Sequence, residues 1–592
     1  MRHKNTFSYL TAFFLISNIG LFSQTLPTGL VTDWSKAGIQ KQAPVFDTVN
    51  VLSNGAVADG ATSNNPVLRN LMDADGGQPT VYYFPAGNYF FDEPIALKNG
   101  QVIKGASAGE TTFIFNLNGA GHAFLIEGAA TGIKSNITNN ILKDASSLNI
   151  ENTAAFQTGD YIRTQADDID LITSPWAEHS TGQICEINQI QNNTLHIAET
   201  IRRDYLLNKN PLIEKISPVQ FAGIECLRIE RLDATAAQTS NIYFKYAANC
   251  WAKGLSSHNA NFAHIDIENG AHINISGCHF KDAHAYGDGG QGYGVVLEFN
   301  TSDCLVENNI FDHLRHSMLL QAGANGNVLG YNCSVNTFWT EVGLPDDSSG
   351  DLVLHGNYVY LNLLEGNIVQ NIVIDDSHGI NGPGNVFFRN RAEQNGIFMN
   401  DSPASDAQVF VGNEITSTDF LNGFYSLEGT GHFEYGNNVK GTVMPANTNN
   451  VSLLSLYLNE APIYFENTGI DIGSIGLPTD LNSGSNPARL RLEDNLLTLC
   501  EKNEPVVNSV KYEPAGGFWN IYPNPAKNIL NIENKSINQK YSASIIDLNG
   551  RIVFYENMAA PQIDVSGLNS GLYILVLENN KRRVFKKINI LR

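Results

Sequence analysis

The sequence predicts an all-β protein, a parallel β-helix solenoid followed by a small C-terminal β-sandwich. Three observations favour this fold. Asparagine recurs in similar phrases, such as "ENNIF" and "EGNIV", at steps of 23, 35, 23, 23 and 24 residues. Short apolar alternations, which are typical of strands, flank each phrase. The composition then changes in residues 516–592, where basic strands alternate with tight turns.

A fixed period in the low twenties indicates stacked coils, and the leucine framework of a leucine-rich repeat is missing. We expect the repeated asparagines to stack at one bend, where their amides bond one another and the turn backbone. The 35-residue step predicts a protruding loop of about a dozen residues. The repeated residues are Asn309, Asn332, Asn367, Asn390, Asn413 and Asn437.

The N-terminal segment 1–23 has the pattern of a signal peptide. Arg2 and Lys4 precede an apolar stretch from Phe13 to Phe22, and small Ser23 follows. The apolar stretch is too short to span a membrane. The sequence therefore predicts an exported protein without a transmembrane segment.

Charge is unevenly distributed along the chain. The net charge is −22, with +5 in residues 516–592 and −27 in residues 1–515. The strong negative charge of residues 1–515 argues against nucleic acid as a partner. The seven cysteines are scattered and show no CxxC spacing. They are predicted to be buried as small apolar residues, forming neither a disulfide framework nor a zinc site.

Residues 51–115 carry a recognisable pattern, with "GAVADGA", "GGQPTVYYFPAGNYFF" and "IALKNGQVIKG" in order. This stretch resembles the opening of pectin-lyase-like, right-handed parallel β-helix proteins. The resemblance implies a β-helix over residues 24–500, with an N-terminal cap over about 48–115 and repeats extending to about residue 480. Residues 140–215 break the repeat and are predicted to form a β insertion. Lyases, hydrolases, epimerases and phage tailspikes share this opening, so it implies a fold and not a reaction.

The tail contains "YPNP", "DLNGR", "LNSGLY" and a basic final strand. It resembles the C-terminal sorting domain of type IX secretion substrates in Gram-negative bacteria. The resemblance implies a linker over 501–515, a sorting domain over 516–592, and the type IX secretion machinery as partner. We therefore expect the protein to be secreted or held at the cell surface.

Stacking converts sequence offsets into neighbours, because adjacent strands lie about 4.8 Å apart. Counting from the bends at Leu255, Cys278 and Asn309 predicts two polar rows across three coils. Seven of the fourteen histidines lie between His258 and His316, which favours a functional site over a solvated face. The Gly-rich loop at 287–294 should form a movable wall beside the rows. The first row contains Asn259, Asp282 and His313, and the second contains Asn261, His284 and Arg315.

A lyase acting on a uronic-acid-containing glycan is the first hypothesis for this site. Arg315 would clamp the uronate carboxylate, and His284 or His313 would be the base. Asp282 would orient an imidazole, with His316 nearby. The residues predicted to bind substrate or to donate a proton to it are His258, Tyr286, Tyr293, Trp339 and His378.

Two alternatives stay open. A glycoside hydrolase of the same fold needs two carboxylates, for which the candidates are Asp282, Asp288, Asp312, Asp375 and Asp376. A non-enzymatic, glycan-binding adhesin is the other. No cofactor is expected except Ca²⁺, for which Asp346, Asp347 and Asp351 in the loop "LPDDSSGD" offer oxygen ligands, although a solvated acidic loop is the simpler interpretation.

Overall fold

The computed structural model describes residues 26–287, 289–341, 348–500, 519–534, 541–547, 551–558, 562–579 and 582–591. The predicted signal peptide (1–23) and linker (501–515), together with Asp288, Asp346 and Asp347, lie outside the described residues. The chain divides into two compact units, residues 1–502 and 503–592. Among the residues described, no helix combines the length and apolar character needed to cross a bilayer.

The first unit is a right-handed parallel β-helix whose coils build three sheets, here named A, B and C. Sheet A consists of Asp47–Asn50, Thr80–Phe84, Gln101–Gly105, Gly223–Glu225, Trp251–Lys253, Asn274–Ser276, Leu305–Glu307, Val328–Gly330, Leu363–Glu365, Val386–Phe388, Val409–Val411 and Phe433–Tyr435. Sheet B consists of Asp59–Ser63, Gly87–Phe91, Thr111–Phe115, Arg228–Arg231, Ser256–Ala260, His279–Ala283, Ile310–Asp312, Cys333–Val335, Glu414–Ile415, Asn437–Val439 and Thr442–Met444.

Sheet C follows sheet B along each coil and bears the candidate site. Its strands are Ile95–Ala96, Phe124–Glu127, Ile242–Lys245, Ala263–Glu268, Tyr293–Glu298, His316–Leu320, Leu352–Leu354 and Phe424–Ser426. Two long strands, Ile368–Asp375 and Arg391–Asn400, run from sheet B into sheet C. Alternate side chains point inward and form one continuous apolar core, with a column of aromatic rings that includes Phe84, Phe91 and Phe113.

Helices are few and mark ends and connections. The α-helices are Asn65–Ala74, in the predicted N-terminal cap, and Pro487–Glu493. Leu68 and Met72 of the first helix pack into the core of the solenoid. The 3₁₀ turns are Thr28–Leu30, Trp34–Lys36, Leu52–Asn54, Pro175–Ala177, Leu207–Lys209 and Ile463–Phe465.

The predicted asparagine column is confirmed at the bend between sheets A and B. The Nδ2 of Asn332 donates to Oδ1 of Asn367 at 2.9 Å, and Nδ2 of Asn367 donates to Oδ1 of Asn390 at 2.9 Å. Each amide also accepts from the backbone N–H of the preceding coil, as Asn367 does from Asn332 at 3.0 Å. The residue immediately before several of these asparagines has a left-handed backbone conformation, for example Asn308 (φ 53°) and Gly366 (φ 68°). The amides therefore satisfy bend groups that no strand can pair.

A second column, which the sequence analysis missed, lies at the bend between sheets C and A. Asn327 Nδ2 donates to Asn362 Oδ1 at 3.0 Å, and Asn362 Nδ2 donates to Asn385 Oδ1 at 3.0 Å. Gln408 continues the column in place of asparagine. Its members precede sheet A by one residue, at the same steps of 35 and 23 residues as the first column.

The insertion forms an antiparallel sheet that begins at Ala129, before the predicted boundary at 140. Its strands are Ala129–Asn136, Ser147–Asn149, Tyr161–Gln165, Ile184–Gln191, Thr194–Ile197 and Leu212–Ser217. Buried ionic contacts fix it to the solenoid, because Arg202 pairs with Asp303 and its Nη1 donates to Asn325 Oδ1 at 2.9 Å. One further parallel pair, Val219–Gln220 with Ala247–Ala248, follows it.

The prediction that the repeats extend to about residue 480 is wrong. The solenoid ends where the strand Asn437–Val439 pairs antiparallel with the strand Thr442–Met444. The chain then returns along the outside of the asparagine bend. Arg389 holds this return segment: its guanidinium is buried and donates to the carbonyls of Val451, Ile475 and Leu477. The segment lacks the strand alternation of a coil because it covers the asparagine bend instead of adding to it.

Two cysteines depart from the predicted behaviour. Cys226 and Cys500 form a disulfide across 274 residues of sequence, where the return segment ends. The other five, Cys185, Cys250, Cys278, Cys304 and Cys333, are free and buried, as predicted. The pair was missed because only the returning chain brings Cys500 beside an early coil.

The second unit is a small antiparallel β structure. One sheet contains Trp519–Tyr522, Ile529–Asn534 and Gln562–Asp564, and the other contains Tyr541–Ile546, Ile552–Met558, Gly571–Asn579 and Arg582–Ile590. Buried Leu530, Ile545 and Leu575 belong to its core. This is the all-β tail that the sequence predicts.

We expect Asn367→Ala to destabilise the first unit by roughly 2–5 kcal/mol, because it leaves buried groups of two neighbouring coils without partners. Chemical denaturation followed by circular dichroism measures this loss. Asn450→Ala, at an exposed position, is the matched control and should change the free energy of unfolding by less than about 0.5 kcal/mol. Equal stability of the two variants would mean that the column does not hold the coils together.

Candidate functional site

The first predicted row exists at the end of sheet B. Asp282 Oδ1 lies 2.9 Å from Nδ1 of His313, and the register aligns Asn259 with Asp282. These three residues have φ values of 58°, 57° and 57°, and Asn336 on the next coil has 56°. Asparagine and aspartate tolerate this left-handed conformation better than other residues with a β-carbon. The turn itself therefore explains part of the row.

The second predicted row holds between Asn261 and His284, which follow the aligned pair Ala260 and Ala283, but it is wrong at Arg315. The backbone N–H of Arg315 donates to the carbonyl of Gly292, so Arg315 aligns with the end of the Gly-rich loop and not with His284. Nε2 of His284 instead contacts the carbonyl of Arg231 on an earlier coil, at 3.2 Å. The offset failed because the loop inserts its extra residues between His284 and the start of the next strand, at Tyr293.

Two predicted site residues tether the Gly-rich loop. Arg315 Nη1 donates to the carbonyl of Gly287, and its guanidinium lies 4.9 Å from the centre of the Trp339 ring. The hydroxyl of Tyr286 lies 2.9 Å from Nδ1 of His313. Gly292, at φ 77°, permits the sharp turn, and a β-carbon there would meet the carbonyl of Ala285 at 2.9 Å. The loop wall is therefore held by specific contacts.

The histidines of the prediction have separate environments. His316 is buried, with Nδ1 against the carbonyl of Gly350, and burial lowers its pKa to about 3. Its ring packs 5.1 Å from Tyr293. His258 lies on the outward face of sheet B, 2.9 Å from the hydroxyl of Ser256, where burial lowers its pKa to about 4. Both histidines are therefore neutral at pH 7.

Several predicted acidic candidates have structural partners. Asp312 pairs with Lys281 at 2.9 Å. Asp376 accepts from the backbone N–H of Ser405, 29 residues later in the chain, at 2.9 Å. Asp351 is fully buried and accepts from two backbone N–H groups, at 2.8 and 2.6 Å, and burial raises its pKa to about 7. These carboxylates therefore link segments that are 19 to 31 residues apart in the chain.

A different polar row, missed from the sequence, crosses the outward face of sheet C. The register pairs Lys245 with Glu268, and Glu268 with Glu298, at the last position of successive strands. The positions before them are buried core residues, so these side chains face outward. With the register continued one residue past the last paired positions of each strand, the row consists of Glu127, Lys245, Glu268, Glu298, Gln321, His355, Asp375 and Asn400.

Two carboxyl groups of this row, Glu268 and Glu298, meet that of Asp266, which lies two residues before Glu268 on the same strand; the three are here called the carboxyl cluster. One oxygen from each lies within 4.8 Å of the others. Burial and the neighbouring charge of Glu268 raise the pKa of Glu298 to about 8. Burial and the charge of Glu298 raise the pKa of Asp266 well above its ordinary value. Lys245 Nζ contacts Glu268 at 3.1 Å.

The carboxyl cluster is enclosed but unevenly satisfied. Asp266 and Glu298 are only 3% and 5% exposed, respectively. Gln321 donates to Glu298, whereas Oδ1 of Asp266 has no hydrogen-bond partner in the part of the chain that the structure describes. The sequence did contain a signal, since "HIDIE" and "VVLEF" place carboxylates inside apolar strand alternations. Only the length of the Gly-rich loop hid their alignment.

The insertion supplies an aromatic wall beside the carboxyl cluster. Trp176 is 51% exposed and packs edge-to-face on Phe299, 5.7 Å away, directly after Glu298 in the chain. Asn357 Oδ1 accepts from the backbone N–H of Thr173 at 2.9 Å, which anchors this part of the insertion to the coils. The indole face is therefore held at a fixed position near the cluster.

Family models match both parts of the chain. Residues 48–205 match the family described as rhamnogalacturonase A/epimerase, pectate lyase-like. Residues 520–591 match the secretion system C-terminal sorting domain. Both resemblances inferred from the sequence are confirmed. No curated protein shows a significant match to the chain.

Solved structures with a similar fold come from phages and bacteria. The tailspike protein gp49 from Pseudomonas phage LKA1 is 14% identical, with a TM-score of 0.46, covering 62% of this chain and 64% of that one. The alignment thus spans less than two thirds of the tailspike's length. An exopolygalacturonase from Thermotoga maritima is 11% identical, with a TM-score of 0.38, covering 69% and 95%. The A-module of the mannuronan C-5 epimerase AlgE4 from Azotobacter vinelandii is 13% identical, with a TM-score of 0.30, covering 66% and 89%.

The sorting domain establishes that the protein is exported by type IX secretion to the cell surface or beyond. We expect deletion of residues 501–592 to leave the first unit folded but retained in the periplasm. Immunoblots of periplasm and medium measure the distribution. A variant with the arginine and lysine pair Arg583 and Lys586 changed to alanine tests whether the basic final strand alone is needed. Normal appearance of the truncated protein in the medium would contradict the role of this domain.

The raised pKa of Glu298 predicts a pH-dependent stability. Between the ordinary glutamate pKa of 4.5 and about 8, the folded state keeps a proton that the unfolded state releases. The free energy of unfolding therefore falls as pH rises through this window, by at most about 1.4 kcal/mol per pH unit. We expect Glu298→Gln, which cannot ionise, to lose less thermal stability than the wild type between pH 5 and pH 8. Parallel melting curves for the two proteins would contradict the raised pKa.

Proposed function

We propose that this protein is an exported enzyme that cleaves a polysaccharide, and that the carboxyl cluster hydrolyses a glycosidic bond. One observation carries the proposal: three carboxyl groups converge within 4.8 Å on the outward face of sheet C, and the pKa of one is about 8. Carboxyl groups with different protonation states are the requirement for acid catalysis with a second carboxylate. The match of residues 48–205 to a carbohydrate-active family supports a glycan substrate.

The roles follow from the environments. Glu298 keeps its proton at neutral pH and donates it to the leaving oxygen of the glycosidic bond. Glu268, half-buried beside the Lys245 ammonium at 3.1 Å, supplies the carboxylate. The oxygens lie closer than the roughly 6.5–9.5 Å that leaves room for an attacking water in inverting enzymes. Glu268 therefore attacks the anomeric carbon directly, and water releases the sugar in a second step.

The charge of the row bears on the substrate. Besides Glu298, which keeps its proton, the row holds three acidic residues against one lysine: Glu127, Glu268, Asp375 and Lys245. A polyuronate would meet this surface with unfavourable electrostatics. A neutral glycan, stacked on the exposed face of Trp176, fits it better. The proposal thus replaces the uronan preferred from the sequence.

Elimination remains the second candidate, on the contact between Tyr286 and His313. The hydroxyl of Tyr286 and Oδ1 of Asp282 each lie 2.9 Å from the same nitrogen, Nδ1 of His313, so both orient this imidazole as a base. Arg315 lies beside them as a carboxylate clamp for a uronate. It ranks second because this guanidinium already binds the carbonyl of Gly287 and stacks on Trp339.

A glycan-panel digestion read by mass spectrometry tests the reaction class. We expect products that each gain one water, and a loss of roughly 10²–10⁴-fold in kcat for Glu298→Gln. Glu127→Gln, in the same row but beyond Lys245, is the matched control and should keep near-normal turnover. Unsaturated ends, with Arg315→Lys and His313→Ala inactive and Glu298→Gln active, would favour elimination. Binding without cleavage of any glycan would favour an adhesin.

The close spacing of the carboxyl groups also predicts stereochemistry. Hydrolysis through a glycosyl-enzyme intermediate retains the anomeric configuration. Proton NMR of the first products, recorded before mutarotation, should show the anomer of the substrate. An inverted product would assign the attacking group to a water and not to Glu268.

A further inference from the structure

A second cluster lies farther along the same row and has no role in the proposed hydrolysis. His355 follows the strand Leu352–Leu354, Asp375 ends the strand Ile368–Asp375, and His378 stands in the turn after it. One ligand atom from each lies within 4.8 Å of the other two. Nε2 of His355 lies 3.6 Å from Oδ2 of Asp375.

We propose that His355, Asp375 and His378 bind a divalent transition-metal ion such as Zn²⁺. Two imidazoles and one carboxylate form a ligand set that suits zinc and its neighbours, whereas Ca²⁺ and Mg²⁺ prefer oxygen ligands alone. Three protein ligands leave at least one coordination position for a water or another oxygen ligand.

The two inner ligands are held in place. Asp375 Oδ1 accepts from the backbone N–H of Ser377 at 2.9 Å, which orients its carboxylate. Both side chains are largely buried, with exposed fractions of 13% for His355 and 14% for Asp375.

The ring of His355 also has an unmet hydrogen-bonding group. Its Nδ1 is buried and contacts no donor or acceptor among the described residues. The other nitrogen, Nε2, faces Asp375. If His355 were buried only to form hydrogen bonds, both ring nitrogens would be expected to have partners. Ligation of a metal ion through one ring nitrogen would account for a buried imidazole that is oriented here with incomplete hydrogen bonding.

His378 supplies the mobile ligand. Its ring stacks on that of His355, with centroids 4.3 Å apart and 18° between the planes. The side chain is exposed, so it can turn out of this stack and direct a lone pair at an ion held by the other two groups. Metal binding thus closes a site whose two fixed members are already adjacent.

The ion would lie two row positions beyond Glu298, past Gln321, which is roughly 10 Å along the face. Its open positions would face the same side as the carboxyl cluster and would bind a hydroxyl oxygen of a neighbouring sugar unit. Metal binding itself is independent of the reaction, whereas this contact with the glycan rests on the proposed function.

Titration of the full-length, chelator-treated protein with ZnCl₂ in a calorimeter tests the site. We expect one equivalent to bind with micromolar or tighter affinity, and His378→Ala and Asp375→Asn to weaken it roughly 100-fold. His196→Ala, a histidine of the insertion, is the matched control and should bind like the wild type. Titration with Co²⁺ adds a spectroscopic readout, since imidazole ligation produces visible absorption bands that the variants should lose.

The outcomes separate this inference from the proposed hydrolysis. Absence of stoichiometric binding, unchanged affinity in both ligand variants, or equal affinity for CaCl₂ would overturn the metal site whatever the enzyme does. Melting curves of the variants exclude misfolding as the cause of lost affinity. If zinc binds as expected but the wild type cleaves no glycan, the metal site stands and the proposed function fails.

Discussion

The stacking of one coil on the next governs this structure. Coils can stack at strand spacing only if their bends also stack, and a bend exposes backbone groups that no strand pairs. The two amide columns, from Asn309 to Asn437 and from Asn327 to Gln408, meet this requirement with a side-chain bond between successive coils. Because the register between coils is then fixed, any side chain is aligned with its counterparts on neighbouring coils. Every row of polar residues in the protein is a consequence of that alignment.

The same alignment creates the chemistry of sheet C. Parallel in-register stacking brings Glu268 and Glu298 side by side, although like charges repel, and flanking apolar positions keep water away from both. Burial and the neighbouring charge raise the pKa of Glu298 to about 8, so this carboxyl group keeps its proton at neutral pH. A regular solenoid thus produces a shifted acid without any special loop. The loops and the insertion add walls, such as Trp176, that a coil cannot supply.

The return segment shows how the solenoid is sealed along one edge. Arg389, fully buried, donates to carbonyls of the returning chain, and the disulfide between Cys226 and Cys500 joins its end to an early coil. A buried guanidinium is tolerated here because several carbonyl oxygens surround it. The covering lies along the asparagine bend, where Nδ2 of Asn486 donates to the carbonyls of Asn332 and Gly366.

The sequence by itself determined the solenoid, the asparagine column from Asn309 to Asn437 and the sorting domain, because these depend on local patterns that recur or match a family motif. It also placed Asp282 beside His313, since each lies four residues after the bend of its own coil, before the Gly-rich loop can change the count. It did not determine the alignment of Arg315, the carboxyl cluster or the pairing of Cys500. Each of these depends on how many residues of the Gly-rich loop, the insertion or the return segment lie outside the stacked coils, because those residues shift the alignment between one coil and the next. Only the tertiary structure decided that number, because a loop's length in the chain does not reveal where its ends rejoin the stacked strands.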